Sequence, residues 1–230
     1  KEHVQKFVFS STTAIYGEPE TIPITESCPA RPISPYGQTK LDVEQLLEQA
    51  NTEHGLGFAA LRYFNAAGAD PVGDIGEDHD PETHLIPIVL QVALGQRKDI
   101  SVFGDDYATP DGTCIRDYVH VLDLADAHLR ALDRIQERQS IQVNLGSGTG
   151  HSVMEIIASA RAVTGRKIQT VMSARRPGDP PLLIADNQLA CAVLGWQPRH
   201  SSIEEIMSTA WNWHQSHPLG YSSTNDKVRG

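Results

Sequence analysis

Tyr36-Gly-Gln-Thr-Lys40 sets a phenol and an ammonium four residues apart. On a helix, positions i and i+4 share a face, so the two groups project together. Such a pair can build a base. A free tyrosine ionises near pH ~10, so a tyrosine base at neutral pH needs about 4 kcal/mol of help. An ammonium about 4 Å away, at an effective dielectric near ~20, supplies about that much. The Thr12 hydroxyl, at the end of an apolar segment, can share the proton or orient a substrate oxygen, which completes a Thr/Tyr/Lys set for general acid-base chemistry. Alone, the spacing is weak and describes two solvated residues on a helix face equally well.

Apolar patterning supplies the elements that must hold these groups. Residues 6–11 read as a short buried strand running into the hydroxyls Ser10 to Thr13. After Pro32 and Pro35, a helix is expected over 36–50, with Leu41, Leu46, Leu47 and Ala50 as its apolar stripe. A second buried strand over 57–65 gives strand, helix, strand in α/β style, with parallel pairing expected. A Gly-, Pro- and acid-rich loop over 66–83 precedes a helix over 85–94 and a strand over 100–103. Pro110-Asp-Gly112 signals a turn, 121–132 repeats apolar residues at helical spacing, and 141–145 reads as a strand. Ser152 with Glu155 has capping-box spacing, as do Ser201 or Ser202 with Glu204 or Glu205 before a last helix. Trp211 and Trp213 near its end are expected to pack. The polar tail 218–230 is expected to be loosely held.

The 230 residues are 40% hydrophobic and 21% charged, ordinary for a soluble globular chain. A net charge of -10 argues against nucleic-acid partners, whose phosphates need a basic face. Cys28, Cys114 and Cys191 are widely spaced and odd in number, which points to free thiols in a reducing compartment. No apolar run approaches the roughly 18 residues of a membrane span, and no signal segment is visible, so cytoplasm is expected.

Some features are decoys. Gly146-Ser-Gly-Thr-Gly150 lies between a strand and a capped helix, but His151 stands where a dinucleotide turn needs its third glycine. Asp74, Glu77, Asp78, His79, Asp80, Glu82 and His84 match neither an EF-hand nor a helical His-x-x-x-His spacing, so a solvated acidic loop without metal is expected. Arg116 and the pair Arg175-Arg176 are more suggestive. Arginine forks bind phosphate oxygens bidentately and keep their charge, so two such sites in an acidic chain suit a phosphate-bearing ligand.

Taken together, Ser10-Ser11-Thr12 with Tyr16-Gly17, Ser34-Pro35-Tyr36-Gly37 with Lys40, Arg62-Tyr63-Phe64-Asn65, His84-Leu85-Ile86-Pro87, Val102-Phe103-Gly104-Asp105-Asp106-Tyr107, Asp111-Gly112-Thr113, Arg116-Asp117-Tyr118 with His120-Val121, Asn144-Leu145-Gly146-Ser147-Gly148 and Arg175-Arg176 with Gly178-Asp179 form a collinear set. That set covers nearly the whole chain and resembles the UDP-glucose 4-epimerases of the extended short-chain dehydrogenase/reductase family. The resemblance implies the C-terminal part of a Rossmann-type doubly wound parallel sheet in residues 1–65. It further implies a smaller mixed α/β domain for a UDP-sugar over 66–217, the two interleaving. Thr12, Tyr36 and Lys40 become the catalytic centre, with Tyr36, Lys40 and Phe64 beside NAD. Asn65, His84, Leu85 and Ser101 through Val102 to Phe103 are implied to meet the sugar nucleotide. Arg116 and Arg176 would hold the diphosphate, Asp179 a ribose hydroxyl, and Leu183 would gate N-acetylated sugars.

The implied reaction inverts C4 of a UDP-hexose, interconverting UDP-glucose and UDP-galactose through a 4-keto sugar, with NAD as a bound prosthetic group and a homodimer as the assembly. A 4,6-dehydratase is the nearest chemical rival, but its Asp-Glu pair is absent because Thr13-Ala14 follows Thr12. Epimerases of UDP-glucuronate, UDP-pentoses or N-acetylhexosamines and a non-catalytic sugar-nucleotide module stay open. The sequence departs from the resemblance at its start. It opens on Lys1 and contains no G-x-x-G-x-x-G, as expected of a piece of a longer chain that cannot hold NAD tightly or turn over alone.

Overall fold

The computed structural model describes residues 4–223. In chain order the elements are β1 (Lys6–Thr12), α1 (Pro35–His54), β2 (Gly57–Tyr63), β3 (Asn65–Ala67), α2 (Leu85–Ala93), β4 (Ile100–Phe103), β5 (Ile115–His120), α3 (Val121–Arg134), β6 (Ser140–Leu145), β7 (Gly150–Ser152), α4 (Val153–Thr164), β8 (Thr170–Ser173), β9 (Leu182–Leu183), α5 (Gln188–Leu194) and α6 (Ile203–Ser216). The class is α/β. Of the polar tail, Gly220–Ser223 forms one 3-10 turn, and residues 224–230 lie outside those described. No described helix is long and apolar enough to cross a membrane.

Strands β1, β2 and β6 form a parallel sheet with β2 in the middle. Phe58 to Leu61 are fully buried, as a central parallel strand covered on both faces requires. β1 is less buried than its composition suggests. It is an edge strand among the described residues, and Phe7 is 42% exposed. The strand expected over 57–65 divides at Phe64, where the chain leaves this sheet and β3 begins pairing with β5. β5 also pairs with β7, antiparallel, and β9, parallel, while β4 and β8 form a separate parallel pair.

α1 starts where the Ser34 hydroxyl accepts the Gly37 amide and Pro35 occupies the first turn. It runs a turn beyond the expected end, to the left-handed cap at Gly55. Its stripe differs too: Leu46 is 63% exposed, and the buried face is Glu44 and Leu47. The capping box at Ser152 and the Ser202 cap form as expected. Besides smaller clusters around Ile15, Ile24 and Phe64 and around Leu47 and Phe58, two large apolar cores result. One packs α3, α5 and Trp196 against β2 and β6, and the other packs α2, α4 and α6 against β4. The ends of β1, β2 and β5 meet between them.

Candidate active site

Thr12 ends β1, and α1 packs on the turn that follows. A Cβ at Gly37 would stand 2.5 Å from the Ala14 carbonyl oxygen, so glycine is what permits this approach. Tyr36 consequently lies beside Thr12, and both line a cavity of about 660 Å³ with Phe64 and Asn65. Thr12 Oγ1 accepts the Ala14 amide at 3.2 Å, which leaves the hydroxyl proton to donate. The Lys40 ammonium is seated on β1, donating to the Ser10 carbonyl at 2.8 Å. It lies 5.7 Å from the centre of the Tyr36 ring and 4.9 Å from that of Phe9. Backbone thus fixes the positive charge beside the ring of a tyrosine that lines the cavity and is 56% exposed.

Behind this centre lies a buried network that local sequence reading misses. Glu44, two turns along the helix face from Tyr36, receives Arg62 Nε at 3.0 Å and Nη2 at 2.5 Å. The Ser11 hydroxyl donates to the same carboxylate at 2.5 Å. Arg62 Nη1 donates to the Tyr16 hydroxyl at 3.0 Å, and Tyr16 to Asn144 Oδ1 at 2.8 Å. Burial pushes the Tyr16 phenol up to about 12, so it stays a donor. The network ties α1 to β1, β2 and β6, the elements carrying or flanking Thr12. The partners are 18 residues or more apart, and although Ser11, Tyr16, Arg62 and Asn144 each stand within a motif of the collinear set, Glu44, which joins them to α1, does not.

A second cleft of about 410 Å³ adjoins the first, with Asn65 and His84 lining both. It collects the expected Leu85, Ser101, Phe103, Arg116, Arg176 and Asp179. The Arg176 guanidinium stacks 3.9 Å from the Phe103 ring centre. Arg116 ion-pairs with Asp179, so an anion arriving at Arg116 competes with that carboxylate. Val102 is a correction: it is fully buried in the α2/α4/α6 core and lines neither cleft, because strand alternation sends it to the opposite face from Ser101. Leu183 lines a third recess of about 330 Å³ with Thr12, Phe64 and Arg116, bridging the hydroxyl and arginine ends.

The Gly146–Gly150 loop is no free phosphate cradle. The amides of Ser147 and Gly148 donate to the Asp117 carboxylate at 2.8 and 3.0 Å, so a resident anion already uses them. The acid-rich loop differs from expectation as well: it is not uniformly solvated, since the Glu82 side chain is 3% exposed. The three cysteines are unpaired.

Residues 1–146 match the model of the NAD dependent epimerase/dehydratase family. The UDP-glucose 4-epimerase of Halalkalibacterium halodurans is 56% identical over 226 residues, which is 97% of this chain and 68% of that protein. Among solved structures, UDP-glucose 4-epimerase from Brucella ovis in complex with NAD is 50% identical with a TM-score of 0.87, covering 90% of this chain and 64% of that one. The Bifidobacterium longum UDP-glucose 4-epimerase, in complex with NAD+ and UDP, is 39% identical with a TM-score of 0.89, covering 95% and 66%. The chain therefore spans about two thirds of the length of the relatives it matches.

Proposed function

Because this chain belongs to the NAD dependent epimerase/dehydratase family, we propose that it carries the acid-base centre and the sugar-nucleotide cleft of an enzyme interconverting UDP-glucose and UDP-galactose at C4. One observation carries the reading: Thr12, Tyr36 and Phe64 line a cavity that opens through Asn65 and His84 onto a cleft with two arginines. In this assignment β1, β2 and β6 form the cofactor side, and the α2/α4/α6 core with β4 backs the UDP-sugar side.

The residues present fit the reactive end of NAD. Lys40 offers a seated positive charge, Phe64 an aromatic wall and Tyr36 a hydroxyl, while the Gly146–Gly150 turn has its Ser147 and Gly148 amides taken by Asp117. NAD, when bound, supplies reversible hydride exchange with C4. Tyr36 takes the proton from O4 as C4 is oxidised to a 4-keto sugar and returns it when the opposite face is reduced. Lys40 lowers the cost of the phenolate by Coulomb attraction. The Thr12 proton, free to donate, orients O4. Arg116 and Arg176 anchor the diphosphate while the sugar turns, Arg116 exchanging Asp179 for phosphate oxygens.

Assayed within a full-length chain that carries a complete NAD cradle, with UDP-galactose as substrate, Tyr36→Phe should lower kcat by about 10²–10⁴-fold and leave UDP affinity, read by calorimetry, unchanged. Turnover indifferent to that substitution removes Tyr36 as base, and failure to bind UDP removes the substrate class. We further propose a homodimer, since Leu46 on α1 and Leu129 on α3 leave apolar side chains 63% and 65% exposed. A monomer mass by light scattering refutes it.

A further inference from the structure

The loop before α2 gathers four side chains that the epimerisation scheme does not use as a set. Glu77, His79, Glu82 and His84 each present one ligand atom, and all of these atoms lie within 4.8 Å of one another. His84 Nδ1 stands 2.7 Å from Glu77 Oε1 and 3.0 Å from Glu82 Oε1. His79 Nδ1 is 3.0 Å from Glu77 Oε1 and 3.8 Å from Glu82 Oε2. A tetrahedral ion with ligands at about 2.0–2.2 Å needs them roughly 3.3–3.6 Å apart. The observed separations straddle that range, so small side-chain shifts open a four-coordinate cage.

The surroundings are those of a built site. Glu82 is carried in the protein interior, and the Thr83 and His84 amides each donate to its Oε1 at 2.7 Å, fixing the carboxylate's direction. Among the described residues none donates a hydrogen bond to Glu82 Oε2; its ion-pair contact is the 3.8 Å one to His79. A carboxylate oxygen is thus held beside two imidazoles with a coordination position unused. The loop backbone is pinned from behind by Trp213 Nε1, which donates to the Glu77 carbonyl at 3.1 Å. Electrostatics favour a cation here. Glu77 stands on the wall of the Thr12/Tyr36 cavity and Glu82 is buried beside it, in a chain of net charge -10, and a divalent ion offsets both carboxylates.

We propose that Glu77, His79, Glu82 and His84 form a binding site for a borderline divalent transition-metal ion of the Zn2+ class. Two imidazoles and two carboxylates suit such an ion, whereas Mg2+ and Ca2+ prefer all-oxygen shells. The site lies on the wall that His84 shares with the nucleotide cleft, so the bound ion fixes the orientation of that ring.

Zn2+ alone is titrated into the protein against a chromogenic chelator, with circular dichroism recorded in parallel. About one equivalent binds, and His79→Ala and Glu82→Gln each weaken it at least 10-fold. Asp74→Asn, an exposed acid of the same loop outside the cluster, leaves it unchanged. Co2+ in place of Zn2+ gives the intense visible bands of tetrahedral coordination, which disappear in His79→Ala. His79 is an exposed side chain, so that variant keeps the parent circular dichroism and its loss of metal is a loss of ligand. Absence of stoichiometric Zn2+ binding, or binding that survives both substitutions, overturns the site.

Discussion

The chemistry at residue scale rests on how rigidly Tyr36 is held, and that depends on Glu44 as much as on Lys40. Tyr36, Lys40 and Glu44 follow one another at four-residue steps along one face of α1. The first faces the cavity, the second is seated on the Ser10 carbonyl, and the third is clamped by Arg62 and Ser11 in the interior. Removing one partner of a buried ion pair strands the other charge, at about 3–5 kcal/mol. Arg62→Met should therefore lower unfolding free energy by about that amount, and Glu44→Met added to it should recover most of the loss. Urea titrations of the two variants check this, and a double variant no more stable than Arg62→Met rules out the stranded charge as the cause. Tyr36 and Lys40 were legible because their spacing is local. Glu44 and Arg62 were not legible as a pair, since nothing within either segment marks a partner 18 residues away on another element.

At the scale of elements, His120 shows how a helix start doubles as a joint. It ends β5 and caps α3, its Nδ1 accepting the Leu122 amide at 3.1 Å, so its proton resides on Nε2, 2.9 Å from Thr209 of α6. Burial holds the imidazole below its ordinary pKa, with Asp123 and Glu205 opposing and His200 assisting. The unfolded chain takes up a proton near pH ~6.5 while the folded chain resists, so this residue's stabilisation is present above that pH and lost as pH falls. Stability should fall more steeply from about pH 7 to about 5.5 in the parent than in His120→Asn. Identical slopes in denaturant melts would remove His120 as the cause. His200, raised by its hydrogen bond with Glu205, has the opposite sign and is common to both proteins. Long periodic elements such as α1, α3 and α6 were readable from sequence. β5, β7, β9 and α5 were not, because each is short and owes its existence to pairing or packing with distant segments. Val102 was misplaced for a related reason: a motif was read as a block, whereas a strand divides its residues between two faces.

At the scale of the whole molecule, the two clefts meet between the two cores, and a UDP-sugar in the proposed reading would touch both sides at once. Saturating UDP should accordingly stabilise the entire chain, by about 2.7 kcal/mol at 100 times its Kd. Scanning calorimetry should show a single transition moving upward. An unmoved transition would mean that UDP does not bind the native chain, and a shift in only one of two transitions would mean that the ligand does not join the cores. The α/β class and the parallel sheet were visible in the apolar runs. The division of labour between sheets was not, because the switch from one to the other falls inside residues 57–65, which read as one strand.

That switch restricts chain length. A single residue, Phe64, separates the end of β2 from the start of β3. Strand faces alternate with period two, so inserting or deleting one residue there turns over every side chain on whichever strand absorbs the change. The sheet behind Thr12 and the one carrying Arg116 are thus geared together at this point. Evolution or design can lengthen the exposed stretch around Asp74 without disturbing either sheet, but at Phe64 the count of residues is itself part of the site.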